Sequence, residues 1–217
     1  MKLNKLVVSM VLGAALSSSA YADRYVFGSS GDHTNDNGLH ITTTVGNFFV
    51  ATFASGWWKS TGAHDEGGFN YVAGVCCEGI TESNYNNYFT FDLSSVKGAV
   101  LSAQLTLYSG DITGAGPLNY SLFDITSPLS DMRPSGNNVY RDLMSGANYG
   151  SFSYSSADSH ELRSITLNST GVSALNSAVG GEFGIGGSLA PIPEPETYAL
   201  LLAGLGLLGW RLRSVRI

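Results

Sequence analysis

Charge is sparse in this chain, and positive charge is the scarcer kind. Asp, Glu, Lys and Arg make up 13% of the 217 residues, with 11 Lys and Arg against 17 Asp and Glu. Five of the eleven basic residues (Lys2, Lys5, Arg211, Arg213, Arg216) sit at the two ends. Residues 23–190 therefore hold 6 Lys and Arg against 15 Asp and Glu, a net charge of −9. Such an acidic body disfavours nucleic acid, anionic lipid and anionic polysaccharide as direct partners unless a divalent cation bridges them. Catalytic signatures are missing too: there is no G-x-S-x-G, no H-E-x-x-H, no P-loop, and no G-x-G-x-x-G between a strand and a helix. Strand patterns do not alternate with long helical ones, which excludes an α/β plan. Cysteine is limited to Cys76 and Cys77. Neighbouring cysteines cannot staple a loop, so the choices are a vicinal disulfide acting as a local stiffener or bridging between molecules.

Both ends carry export chemistry. Residues 1–22 show a short basic region (Lys2, Lys5), an apolar stretch from Leu6 to Leu16, and an A-x-A box at Ala20 and Ala22. That is the layout of a secretory signal peptide, leaving Asp23 as the mature N-terminus. No Cys follows the box, so lipoprotein processing is not indicated. Residues 191–217 read PIPEPETYALLLAGLGLLGWRLRSVRI. Pro193, Glu194 and Pro195 hold the chain extended and without backbone donors, suited to being read by another protein. Tyr198 to Trp210 is apolar all round, a transmembrane helix candidate of roughly 20 Å against a hydrocarbon core of ~30 Å. Snorkelling by Arg211, Arg213 and Arg216 narrows that gap, and the same arginines stop transfer on the cytoplasmic side. A marginal span suits a temporary anchor.

This order of motif, apolar segment and arginines resembles the PEP-CTERM sorting signal of Gram-negative bacteria that make exopolysaccharide and biofilm matrix. The resemblance implies recognition, and cleavage near Pro193–Pro195, by a membrane transpeptidase-like exosortase. It also implies passage through the inner membrane to the cell surface or extracellular matrix. The stretches YFTFDLSSVKGAVLSAQLTLYSG, YSLFDITSPL and SITLNSTGVSALNSAVGGEFGIGG further resemble a domain recurrent in PEP-CTERM proteins, which implies a β-sandwich-like fold and no assigned activity.

The body, residues 23–190, is long enough for one domain with a real core. Its sparse charge and abundant Gly, Ser, Thr, Asn and Tyr suit an extracellular β protein. Tyr25–Gly28 reads as a strand, and Leu39–Ala54 as two strands around a turn at Gly46-Asn47. Trp57–Asn87 is irregular and reads as loops, with one strand at Phe69–Val75. Period-2 alternation then marks Phe89, Phe91 and Leu93, and Leu101, Ala103, Leu105 and Leu107, as core-facing sets. Further strands are expected at Tyr120–Thr126, Tyr149–Tyr154, Leu162–Leu167 and Glu182–Gly186. One helix is expected, Gly171–Val179, capped by Asn168, Ser169 or Thr170 and ended by Gly180-Gly181. The fold class is all-β, a β-sandwich or jelly-roll-like domain.

Candidate sites lie in the irregular region. Trp57, Trp58, Tyr71, Tyr85 and Tyr88 offer rings that stack on sugars, beside Asn84, Asn86 and Asn87 for their hydroxyls. The competing reading puts one Trp and most of the tyrosines into the core. His64-Asp65-Glu66, with Asp32-His33, offers an acid/base or metal pair, although such runs in Gly-rich loops are ordinarily solvated surface. No residue is assigned as catalytic. Asp32, Asn35, Asp36 and Asn37 supply hard oxygens for calcium; turn formation explains the same residues without a metal. The functional expectation is an exosortase-sorted envelope or biofilm-matrix protein that associates with exopolysaccharide, with a secreted polysaccharide hydrolase or lyase as the alternative.

Overall fold

The computed structural model describes residues 23–31, 36–65, 70–76, 83–132 and 139–189. The first strands are β1 (Arg24–Gly28), β2 (Gly38–Thr43), β3 (Gly46–Ala51), β4 (Ala54–Lys59), β5 (His64–Asp65), β6 (Ala73–Cys76) and β7 (Ser83–Asp92). They are followed by β8 (Val100–Tyr108), β9 (Asp111–Thr113), β10 (Leu118–Asp124), β11 (Asn148–Tyr154), β12 (Leu162–Thr166), the helix α1 (Ser169–Ala178) and β13 (Glu182–Leu189). All strand pairings are antiparallel. The expected all-β class therefore holds.

Four strands make a small sheet in the order β12-β8-β2-β3, and nine make a large one. In the large sheet β7 is the hub. β13 pairs with its residues 87–92, β6 with 83–85 and β4 with 85–90. Because β4 overlaps both of the others, β13 and β6 must share the opposite edge of β7. The sheet forks there, with β10 and β11 beyond β13, and β1 and β9 beyond β6. Leu39, Ile41, Leu105, Leu107 and Ile165 of the small sheet share one core with Phe89, Phe91, Leu122 and Ile185 of the large one. Helix α1 closes that core with Leu175. Asn168 is the N-cap, its Oδ1 accepting from the Gly171 amide at 3.0 Å.

Three local expectations are corrected. The β2–β3 register pairs Thr43 with Gly46, so the turn residues are Thr44 and Val45 and Gly46-Asn47 already belong to β3. Leu101 is 62% exposed and Val100 is buried in its place. A register shift against β2 lets Thr43 pair with Val100 after Thr42 pairs with Ser102, which turns Leu101 outward. The expected loops at 57–87 contain β4, β5, β6 and the start of β7. Their Gly, Asn and Tyr content hides a strand buried on both faces, where alternation of polarity vanishes.

The β7 residue Asn87 explains why polar residues occupy that strand. It is fully buried, its Nδ2 donates to the Tyr71 carbonyl at 2.6 Å, and its Oδ1 accepts from the Tyr120 hydroxyl at 2.7 Å. Tyr71 in turn donates to the Tyr108 carbonyl at 2.8 Å. Gly187 faces this network, and a Cβ there would collide with the Tyr120 hydroxyl and Asn87 Oδ1. Burial pushes the Tyr71 phenol up to about 12 and raises Tyr120 and Tyr154 strongly as well.

Among the described residues no helix is long and apolar enough to cross a membrane. The expected signal segment and the apolar segment Tyr198–Trp210 lie outside them.

Candidate functional site

Successive residues of a strand point to opposite faces, and this splits the aromatic set. On β4, Trp58 turns to the outer face of the large sheet, where it is 2% exposed and packs with Tyr88, Met132, Val139 and Leu143. Asn86, opposite Trp58 in register, donates from Nδ2 to the Tyr140 carbonyl at 3.0 Å. Asp142 pins the covering segment: its carboxylate accepts from the Thr126 hydroxyl at 2.6 Å and from the Ser127 amide at 2.8 Å. Burial raises its pKa, but these hydrogen bonds outweigh burial and leave it below the usual carboxylate value. Trp58 and Tyr88 are thus core residues and not a sugar platform, and Asn86 and Asn87 are held by the protein itself.

Trp57 and Lys59 point to the other face, with Tyr85 opposite Lys59 in register. The Trp57 and Tyr85 rings meet edge to face, centroids 5.0 Å apart. The Lys59 ammonium lies 5.5 Å from the Trp57 centroid and 5.1 Å from that of Tyr85, a cation–π arrangement on both rings. A cleft of about 180 Å³ opens here, lined by Trp57, Tyr85, Tyr25, Ser29, Asn70 and Cys76 among others. Tyr85 is itself buried and offers only a rim, so Trp57, half-buried, carries the accessible ring. Trp57 Nε1 is buried with no hydrogen-bond partner among the described residues. Cys76 is disulfide-bonded; Cys77, the only other cysteine in the chain, lies outside the described residues.

Tyr25, Ser29, Asn70 and Lys59 were not candidates from the sequence. Only Lys59 carried a local signal, its i+2 spacing from Trp57, which became readable once β4 was known to be a strand. A larger cavity of about 310 Å³ lies beside Phe53, Leu129, Met132 and Glu182. Of the expected aromatics it touches only Tyr88, which has no exposed surface, so the smaller cleft has the better claim.

Among the described residues, His64 and Asp65 do not form an acid/base pair with each other. His64 stacks on Trp58, centroids 4.4 Å apart and planes 17° off parallel. Asp65 sits opposite Trp57 in register, on the other face of β5. Glu66, His33, Asp32 and Asn35 lie outside the described residues, and Asp36 is exposed. Among the described residues no group of three His, Cys, Asp or Glu is placed to hold a metal ion.

The sorting residues Pro193, Glu194, Pro195, Arg211, Arg213 and Arg216, and the cleavage residues Ala20 and Ala22, also lie outside the described residues. Neither a curated protein nor a solved structure matches the chain. Residues 191–216, however, match the family of the PEP-CTERM protein-sorting motif. The protein therefore carries a PEP-CTERM sorting motif, the mark of an exported protein with a membrane-associated tail that an exosortase processes.

Proposed function

We propose that this protein is an envelope or biofilm-matrix component whose two-sheet body, a β-sandwich module, binds exopolysaccharide in the Trp57 cleft. Residues 1–22 are removed after Ala22, the tail is cut near Pro193–Pro195, and the body passes to the surface. The observation that carries the binding reading is the half-buried Trp57 indole lining the cleft edge to face with Tyr85. A sugar ring would stack on the accessible part of the indole face, while Asn70 and Ser29 border its hydroxyls. The net charge of −9 over residues 23–190 favours a neutral glycan.

The test is co-sedimentation of the exported protein with exopolysaccharide from a producing strain. Trp57→Ala should weaken binding by about 2 kcal/mol, roughly thirtyfold in Kd, as for a central aromatic anchor, with the circular dichroism spectrum unchanged. Binding unaltered by Trp57→Ala would remove the cleft from the function.

A further inference from the structure

The outer N–H and C=O groups of an edge strand form a template for pairing with another chain. Folded proteins guard such edges with charge, proline, bulges, shortness or a covering segment. Four of the five edges here are guarded. β5 has two residues, His64 and Asp65, and β9 has three, including Asp111. β12 carries Arg163, ion-paired to Asp158 at 2.7 Å. β11 is covered at one end by Asn168, whose amide and Nδ2 donate to the carbonyls of Tyr149 and Asn148 at 2.8 Å each.

Among the described residues, β3 is guarded by none of these devices. It is six residues long, GNFFVA, pairs with β2 in unbroken register, and has nothing hydrogen-bonded to its outer edge among the described residues. Phe49 is 52% exposed on its outer face, and Val45 and Phe53 are exposed at its two ends. There is no Asp, Glu, Lys or Arg between Asp36 and Lys59.

We propose that β3 is a pairing edge for a second copy of this chain, joining the two four-stranded sheets into one across a two-fold axis. Charge limits where the occupant can dock. Residues 23–190 carry a net −9, so two copies repel where that charge lies and approach at least cost along a stretch that carries none, such as residues 37–58. A two-fold axis sets that stretch against itself, as an isologous contact requires. A cationic partner would find no anchoring carboxylate on β3. The Trp57 cleft belongs to the large sheet, so this pairing stands or falls independently of glycan binding.

The test is sedimentation velocity of the full chain in detergent and of the form released by the producing cells, with amide hydrogen exchange on the same samples. The expected result is a reversible dimer in which the amides of Gly46–Ala51 gain protection as concentration rises. Phe49→Lys, which sets like charges together across the axis, should weaken the dimer roughly tenfold or more. Leu101→Lys, exposed on β8 and away from the edge, should leave the dimer unchanged. Unaltered protection of β7 amides in each variant controls for folding. A monomer at every concentration, a dimer whose β3 amides exchange as in the monomer, or a dimer indifferent to Phe49→Lys would each overturn the proposal.

Discussion

At the scale of single residues, adjacent side chains of one type have opposite fates. Trp57 and Trp58 are chemically identical, yet Trp58→Ala should cost about 3–5 kcal/mol of stability, as for a buried aromatic. Trp57→Ala should cost much less and instead weaken glycan retention; urea unfolding of the two variants separates them. The buried tyrosines give a pH signature. Their folded pKa values lie above the ordinary 10, so above pH ~10 the unfolded chain releases protons that the folded chain retains. Their contribution is complete below that pH and is lost as pH rises through the folded values. Tyr154 isolates the effect, because burial raises its pKa and its hydroxyl has no partner among the described residues. Tyr154→Phe should leave stability at neutral pH within about 0.5 kcal/mol and raise the midpoint of alkaline unfolding followed by circular dichroism. An unchanged midpoint would show that Tyr154 does not ionise on unfolding.

At the scale of elements, two devices set register and packing. The β2–β8 shift turns Leu101 to solvent, so Leu101→Lys should change the thermal midpoint by no more than a surface substitution, about 0.5 kcal/mol. The same change at Val100, buried one residue earlier, should prevent folding or nearly so. Gly187 allows β13 to lie against the Tyr120–Asn87 bond. Gly187→Ala is therefore expected to cost several kcal/mol through overpacking and loss of that buried hydrogen bond, read from the unfolding midpoint. Most elements were legible: β1, β8, β10, β11, β12 and α1 fall where periodicity and the Asn168 cap put them. β4 and residues 83–87 of β7 were not, because alternation is visible only when one face meets water; Phe89 and Phe91, at the far end of β7, face the core as their period-2 spacing put them. β7 is covered by the main core on one face and by the Trp58–Leu143 cluster on the other.

At the scale of the whole molecule, the tail and the body divide the work. Intact mass of the protein recovered from cells and medium should show a chain beginning at Asp23 and ending near Pro193. Retention of Arg211–Ile217 in the surface form would contradict processing at the motif. The two proposed contact surfaces of the body, the Trp57 cleft and the β3 edge, lie on different sheets.

The sorting motif was readable from residues 191–217 because its information is linear: an order of prolines, apolar residues and arginines that another protein reads along the chain. The all-β class was readable for a related reason, since period-2 polarity records which strands have one face in water. The site was not. Trp57, Tyr85, Asn70 and Tyr25 come from four separate segments, and only the pairing of β4 with β7 decides which of two neighbouring tryptophans faces the cleft. That choice turns on strand parity, which one residue of register reverses and no composition records.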